Sequence, residues 1–256
     1  MSNLDYLIAL DIGTSKIRVM IGEYHSNTVQ VIGVGSASAY GIKKGAIVDI
    51  DQTVESIKQA VAQAEQMVDL RIREVVVGIS GNHIELLSGH GVVAVSNEDR
   101  EIGEADIERV LQASRVIALP PDREVIDIVP KEFIVDGLRD IRDPRGMIGV
   151  RLEVEATIIT GSRTWLHNLH RCIERAGLQV GGYVLMPLAA AEVALSADEK
   201  KLGVILIDLG AGSTDIAIFE NGGLTRTSVL PIGGEYITND IAIGLRTQTD
   251  VAGRIK

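Results

Sequence analysis

One local pattern occurs twice in this chain, at residues 8–19 and 205–218, and this repeat constrains the fold more than any other feature. Each copy begins with an apolar, strand-like run that ends in an aspartate, Asp11 in the first copy and Asp208 in the second. A glycine-containing turn with hydroxyl side chains follows, and a second apolar run follows the turn. Internal similarity of this kind is typical of a duplicated architecture. We therefore expect two β-hairpins of the same construction.

The two turns carry residue types that bind phosphate. Glycines let the backbone approach a phosphate closely, and successive backbone N–H groups can form a concave anion site. Lys16 would add a positive charge, whereas Asp11 and Asp208 would repel phosphate and instead hold Mg²⁺ through water molecules. Two such turns facing each other would clamp a triphosphate from both sides. The predicted phosphate-binding residues are Gly13, Thr14, Ser15, Lys16, Gly210, Gly212, Ser213 and Thr214.

Other interpretations of the turns are weaker. A single Asp-x-Gly-Thr turn is common in ordinary β-hairpins, so it is the matched second copy that favours a phosphate clamp. The chain contains neither the G-x-G-x-x-G pattern of dinucleotide-binding folds nor the G-x-x-x-x-G-K-[ST] pattern of P-loops. Each turn also leads into a strand, whereas both of those motifs lead into a helix. A Rossmann or P-loop site is therefore excluded.

Composition limits the classes of partner. Hydrophobic residues make up 46% and charged residues 23% of the 256 residues, as in ordinary soluble globular proteins. The net charge is −10 and no basic stripe is visible, which disfavours binding to nucleic acid and direct contact with anionic lipid. A single cysteine, Cys172, excludes a disulfide framework and fits a reducing compartment. We expect no signal peptide at Met1–Asp5, because no basic stretch precedes an apolar one.

Hydrophobic periodicity predicts an α/β chain with a small α+β module inserted in it at residues 82–162. Predicted strands outside the module lie at 6–12, 16–23, 28–37, 74–80, 180–186, 203–208, 214–219 and 223–230, with a turn at Asn27. Predicted helices outside it lie at 52–69, 164–176, 188–197 and 234–246. Inside the module we expect two strand-like pieces in 84–95, a helix at 104–117, and strands near 123–129, 132–136 and 150–160.

Paired phosphate hairpins mark the superfamily of actin, heat-shock chaperones and sugar kinases, and within it the chain resembles the FtsA family of bacterial cell-division proteins. The resemblance rests on the run Gly41 to Asp49, the amphipathic helix with Ala64-Glu65 near its end, and the run Val76 to Ile84. The stretch from Ile232 to Ala242 also resembles the family. The resemblance covers essentially the whole chain.

The resemblance implies an actin-like, ribonuclease-H-like ATPase fold. Residues 1–81 and 163–190 would form subdomain 1A, residues 82–162 the inserted subdomain 1C, and residues 191–256 the start of subdomain 2A. Members of the family continue into subdomain 2B, an adenosine-binding turn and a C-terminal membrane helix. We therefore expect the second half of the fold to be incomplete in this sequence, with the FtsZ-docking face and the membrane anchor outside it.

The resemblance also implies a function. The protein would bind ATP and Mg²⁺, polymerise, and link FtsZ filaments to the inner face of the cytoplasmic membrane at the division site. Its partners would be further copies of itself, FtsZ and later division proteins, with membrane contact only through the C-terminal helix. We expect weak or no hydrolysis, because Met186 stands where active relatives place a Gln or Glu that orients the attacking water.

Two other members of the superfamily remain as alternatives. A PilM-type pilus-assembly protein shares the hairpins and an inserted module, but the run at 41–49 fits it less well. A sugar kinase would need a catalytic aspartate acting on a sugar hydroxyl, and no such motif is visible. The pair His167 and His170 has a spacing found in metal sites, but Cys172 fits the apolar stripe of the same helix, so we do not predict a metal there. His83 is predicted to be a surface residue, and Trp165 is predicted to pack at the border of the module.

Overall fold

The computed structural model describes residues 6–25 and 28–256. The turn predicted at Asn27 and the segment Met1–Asp5 lie outside the described residues. The strands are β1 (Tyr6–Ile12), β2 (Lys16–His25), β3 (Thr28–Ser38), β4 (Ile42–Lys43), β5 (Ala46–Ile47), β6 (Glu74–Ile79), β7 (Glu85–Ala94), β8 (Arg123–Val135), β9 (Leu138–Ile141), β10 (Arg151–Ser162), β11 (Gln179–Leu185), β12 (Val204–Leu209), β13 (Thr214–Glu220) and β14 (Gly223–Leu230). The helices are α1 (Ile50–Val68), α2 (Glu104–Ser114), α3 (Arg163–Arg175), α4 (Met186–Ala194), α5 (Ala197–Leu202), α6 (Gly234–Leu245) and α7 (Thr249–Ile255).

The first sheet has the strand order β11-β6-β1-β2-β3. Strands β1, β2 and β3 are antiparallel neighbours, whereas β6 and β11 run parallel to β1. Apolar residues on the inner face of this sheet, among them Leu10, Ile17 and Val77, are fully buried against α1 and α3. The sheet therefore holds the end of β1, and with it the first predicted phosphate turn, in a rigid position.

Helix α1 packs on this sheet as its apolar stripe predicts. Its buried side includes Val54, Ile57 and Ala64. The helix begins at Ile50, earlier than predicted, because the Asp49 side chain accepts a hydrogen bond from the Gln52 N–H and caps the first turn. Strand β3 lies so close to α1 that a side chain at Gly35 would collide with the Ala60 carbonyl, so the sequence needs glycine there.

The second sheet, in the order β7-β10-β8-β9, is antiparallel throughout and has its own core. Helix α2 covers one face, and Ile107 and Val110 of this helix pack against Leu152 and Val154 of β10. The two strand-like pieces predicted in 84–95 are one strand, β7.

The strands predicted at 123–129 and 132–136 are also a single strand, β8, that contains a bulge. The pairing shifts register between Glu155 and Ala156, which face Glu132 and Pro130. A bulge tolerates proline because it interrupts the hydrogen-bond ladder at that point. Prediction from periodicity failed here because Pro130 looks like the end of a strand.

The third sheet, β12-β13-β14, is antiparallel and carries the second predicted phosphate turn between β12 and β13. Helix α4 begins at Met186 rather than at 188. The short helices α5 and α7 and the strands β4, β5 and β9 were not predicted, since elements of this length have almost no periodicity. Helix α5 has a local signal nonetheless, a capping box in which Ser196 and Glu199 satisfy each other's backbone N–H groups. No helix among the described residues is long and apolar enough to cross a membrane.

Candidate functional site

The two repeated turns face each other across one cleft of about 330 Å³ between the first and third sheets. The first turn and the strands beside it line the cleft with Asp11, Gly13, Thr14, Ser15, Lys16 and Arg18. The second turn and its strands line it with Asp208, Gly210, Ala211, Ser213 and Asp215. The structure therefore brings together most of the residues that the repeat singled out, although they are far apart in the chain.

The two turns have the same backbone geometry. The Gly13 N–H donates to the Lys16 carbonyl at 3.1 Å, and the Gly210 N–H donates to the Ser213 carbonyl at 2.9 Å. In the strands that follow, Asp11 pairs with Arg18 and Asp208 pairs with Asp215. Equivalent positions of the two hairpins therefore hold a cation on one side of the cleft and a carboxylate on the other.

The turns also touch each other. Gly212 is buried, and a Cβ at this position would lie 2.7 Å from Thr14 Cγ2 and 3.0 Å from Thr14 Oγ1. The Thr14 side chain already fills the space that a Cβ at residue 212 would need. Glycine at 212 is thus required by the close approach of the turns.

Helix α6 is tied to the second turn by its first residues. The N–H groups of Gly234 and Glu235 donate to the carbonyls of Gly210 and Ala211, each at 2.9 Å. The Thr214 hydroxyl donates to the Ile232 carbonyl at 2.7 Å. Of the predicted phosphate ligands, Thr214 is therefore engaged in holding the segment before α6 and does not line the cleft.

Three aspartates line the cleft: Asp11, Asp208 and Asp215. Burial raises the pKa of Asp11, and the Asp208 carboxylate adds to the rise, whereas Arg18, 3.7 Å away, opposes it. Burial also raises the pKa of Asp215. The hydrogen bond with Ser80 lowers this pKa, and the nearby Asp208 carboxylate raises it. In both carboxyl groups the neutral form is therefore favoured relative to an exposed aspartate.

Asp215 was not among the predicted site residues. It is buried, and its Oδ1 atom has no hydrogen-bond partner among the described residues. Its only signal in the sequence is its place in the second copy of the repeat, two residues after Ser213. Oxygen ligands of this kind suit Mg²⁺, although no group of three His, Cys, Asp or Glu side chains within residues 6–25 and 28–256 could hold a metal ion by itself.

Met186 contributes to the floor of the cleft together with Gly78, Ser80, Trp165 and Leu169. A side chain at Gly78 would collide with the Met186 sulfur, so the thioether lies directly against β6. Glu192, further along α4, does not line the cleft, and its carboxylate pairs with Lys200 at 2.8 Å. The cleft therefore has a thioether at the position where the resemblance implies a Gln or Glu in active relatives.

The border between the first and second sheets contains a stacked pair of rings. The His83 ring lies 3.8 Å from the ring of Trp165, at an interplanar angle of 21°. Burial and the neighbouring Arg123 guanidinium lower the pKa of His83 to about 4. The prediction of His83 as a surface residue is wrong, because Trp165 covers its ring. Nothing in the local sequence indicates this contact.

Two family models match the chain. The model described as "SHS2 domain inserted in FTSA" matches residues 81–160, and the model described as "Cell division protein FtsA" matches residues 205–256. The chain is 54% identical to cell division protein FtsA of Bacillus subtilis over 256 residues, which are 100% of this chain and 58% of that protein. It is 44% identical to FtsA of Pseudomonas aeruginosa over 251 residues, 98% of this chain and 60% of that protein.

Solved structures give the fold. A chain of the PilM–PilN type IV pilus biogenesis complex superposes with a TM-score of 0.67 at 18% identity, over 98% of this chain and 68% of that one. MreB5 of Spiroplasma citri bound to ADP superposes with a TM-score of 0.51 at 13% identity, over 98% and 61%. These neighbours confirm the predicted actin-like ATPase fold, and at such identities they show the fold alone. The chain spans 58–60% of the length of the two curated relatives. Its identity to these relatives and its match to both family models show that it belongs to the FtsA family of bacterial cell-division proteins.

Proposed function

We propose that this chain carries the phosphate clamp of an actin-like, ATP-binding cytoskeletal protein of bacterial cell division. The observation that carries the proposal is the meeting of the two repeated turns across one cleft. Family membership supports it, and so does the MreB5 neighbour, whose structure was determined bound to ADP.

In this proposal the two turns hold the phosphates of ATP from opposite sides. Backbone N–H groups at the glycine-containing turns, together with the hydroxyls of Thr14, Ser15 and Ser213, would donate hydrogen bonds to phosphate oxygens. Lys16 would supply the positive charge on one side of the cleft. Gly212 keeps the two turns close enough for both to reach one ligand.

Asp11, Asp208 and Asp215 are the residues that would hold Mg²⁺, through water and in company with phosphate oxygens. When bound, the ion would neutralise the charge on the phosphates. The raised pKa values of Asp11 and Asp215 support this assignment, because carboxylates crowded in a buried site gain stability from a cation. Asp215 belongs to this set because no group within residues 6–25 and 28–256 forms a hydrogen bond with its buried Oδ1 atom.

Weak or absent hydrolysis is part of the proposal. A thioether is a poor hydrogen-bond acceptor, so Met186 cannot hold and orient a water molecule in the way that a Gln or Glu does. The substitution Met186→Gln should raise the rate of phosphate release from Mg-ATP by roughly tenfold or more, because a correctly positioned polar group usually changes a rate by at least that factor. An unchanged rate in a variant that binds Mg-ATP normally would show that Met186 does not limit hydrolysis.

For a protein that contains this chain, we propose that it polymerises into filaments that bind FtsZ and lie on the inner face of the cytoplasmic membrane at the division site. Residues 1–81 with 163–190 would be subdomain 1A, residues 82–162 subdomain 1C, and residues 191–256 would belong to subdomain 2A. Membership of the FtsA family supports this part. Nucleotide-dependent filaments seen by electron microscopy would agree with it, whereas transfer of phosphate to a sugar would indicate a kinase.

The clamp itself is tested by calorimetric titration of Mg-ATP and Mg-pyrophosphate into this chain. Both should bind, and binding should be lost in Asp11→Ala and in Gly212→Val. Gly244→Val is a matched control, since a Cβ at Gly244 would meet no atom of the described part of the chain within 4 Å. A folded, unsubstituted chain that binds neither ligand would contradict the proposed site.

A further inference from the structure

The sheet β7-β10-β8-β9 contacts both walls of the cleft. On the side of the first sheet, Arg123 of β8 ties together the two chain segments that lead into and out of this inserted sheet. Its guanidinium donates to the His83 carbonyl at 3.1 Å, to Glu85 Oε1 at 3.0 Å and to Thr160 Oγ1 at 3.1 Å. Apolar packing holds the inserted sheet against the first wall, since Ile84 and Ile159 belong to the same buried cluster as Leu10 and Ile79.

A second contact joins the inserted sheet to the hairpin β13–β14 on the opposite wall. The Thr157 hydroxyl of β10 donates to the Leu224 carbonyl of β14 at 3.3 Å, and both residues are buried. Phe219 and Leu224, at the far end of the hairpin, belong to the same buried apolar cluster as Ile159 of β10. The inserted sheet therefore forms a bridge from one wall of the cleft to the other.

The hairpin runs from this contact directly to the second phosphate turn. Strand β13 extends from Thr214 to Glu220, 7 residues or about 20 Å. The hydroxyls of Thr225 and Thr227 donate to the carbonyls of Ile218 and Ile216, at 3.0 and 3.3 Å, in addition to the backbone pairing of the strands. A hairpin braced in this way moves as a unit, so a displacement at Leu224 reaches the turn at the other end.

We propose that the inserted sheet positions the second phosphate turn, with Thr157 as the positioning residue. The sheet holds one end of the β13–β14 hairpin. The other end of the hairpin sets the distance between the second turn and Thr14, and at this distance both turns can contact one ligand. Part of the affinity for nucleotide therefore comes from a contact at the far end of the hairpin. This inference rests on the proposed function for its ligand, but the placement of the turn can be measured without any ligand.

The test uses Thr157→Val, which removes the hydroxyl at nearly constant volume, and Thr157→Ser, which keeps it. Amide hydrogen exchange of residues 210–214, without ligand, should become roughly fivefold faster in Thr157→Val, and Mg-ATP should bind roughly fivefold more weakly, as expected when one buried hydrogen bond is lost. Thr157→Ser should restore most of both properties. Ser114→Ala is the matched control, because the buried Ser114 hydroxyl donates to the Leu111 carbonyl within its own helix, α2. It should reduce stability without changing either readout.

Unchanged exchange at 210–214 in Thr157→Val would overturn the inference, even if the unsubstituted chain binds Mg-ATP. Equal changes in Thr157→Val and Ser114→Ala would also overturn it, because they would reflect a general loss of stability. If the unsubstituted chain binds no nucleotide, the proposed function fails, and faster exchange confined to Thr157→Val would still support the positioning role.

Discussion

At the residue scale, two buried side-chain atoms in the described part of the chain lack a hydrogen-bond partner: His83 Nε2 and Asp215 Oδ1. Asp215 lines the cleft, and His83 stacks on Trp165, which also lines it. A buried polar group without a partner costs about 1–3 kcal/mol, so proteins keep few of them. Their presence here is consistent with a cleft whose residues are arranged for a ligand rather than for stability.

The low pKa of His83 leads to a prediction about acid stability. Because the folded-state pKa is about 4 and the ordinary value is 6.5, the unfolded chain takes up the proton first as the pH falls. The stabilisation from neutral His83 is complete above pH 6.5 and is lost progressively as the pH falls from 6.5 to about 4. Urea unfolding between pH 7 and pH 4.5 should therefore show a smaller loss of stability in His83→Phe, which keeps the stacked ring but does not titrate.

Asp11 and Asp215 change the pH dependence of stability in the opposite direction to His83. Both aspartates are present in the unsubstituted chain and in His83→Phe. Their raised pKa values favour the folded state at low pH, so they offset part of the loss in both. The comparison of His83→Phe with the unsubstituted chain isolates the histidine. Parallel stability curves across this pH range would mean that His83 is more solvated than its stacking on Trp165 indicates.

The substitution Asp215→Asn should raise the stability of the fold and weaken the binding of Mg-ATP. Asp215→Asn removes a buried charge close to Asp208 and can keep the hydrogen bond with Ser80. The midpoint of thermal unfolding at pH 7 should rise by roughly 2–4 °C, the shift that about 1 kcal/mol produces in a chain of this size. Mg-ATP binding should weaken at the same time, whereas the exposed-site control Asp198→Asn should change neither. A lower melting point with unchanged affinity would remove Asp215 from the proposed site.

At the element scale, the site is made of two hairpins of equal construction that meet at Thr14 and Gly212. Each hairpin is completed by a different neighbour. The Thr14 hydroxyl accepts a hydrogen bond from the Gly45 N–H of the β4–β5 turn at 3.2 Å, and α6 holds the second turn by its first N–H groups. The turns are therefore placed by elements that follow them in the chain, and the distance between them is set by the packing of two separate sheets.

The contact between the turns can be tested by substitution and rescue. Gly212→Ala places a Cβ 2.7 Å from Thr14 Cγ2, which must push the turns apart and should weaken Mg-ATP binding about tenfold, equivalent to about 1.4 kcal/mol. Adding Thr14→Ser removes Cγ2 and should restore part of the affinity. Calorimetry of the single and double variants measures the coupling. Additive effects would indicate that the two residues act independently.

At the scale of the whole molecule, the proposed ligand would contact two sheets that are otherwise joined through helix α4, the inserted sheet and the apolar cluster that contains Ile159. A ligand that binds only the folded state raises the free energy of unfolding by about 2.7 kcal/mol at 100 times its dissociation constant. Mg-ATP should therefore raise the melting temperature of this chain. The rise should be absent both when EDTA removes Mg²⁺ and in Asp11→Ala, because the proposed role of Asp11 is to hold that ion. An equal rise in all three conditions would show that the nucleotide binds elsewhere.

The sequence by itself determined the local features of this protein. The spacing of Val54, Ile57 and Ala64 was enough to predict α1, because helical periodicity is a local property. The repeated Asp-x-Gly turns predicted two hairpins of one kind, since a turn of that composition between apolar runs has few conformations available. The family resemblance followed from the same residues, and the identity to known FtsA proteins confirms it.

Only the tertiary structure decided which of the repeated residues face the cleft. Ser213 and Asp215 line it, whereas Thr214 between them turns away to the Ile232 carbonyl, because alternate side chains of a strand point to opposite sides. The burial of His83 under Trp165 depends on residues far apart in the chain. The distance between Thr14 and Gly212 depends on how the sheets pack. Each of these results from contacts between distant segments. The repeat predicted that the two turns meet, but a local pattern does not specify which individual side chains come into contact.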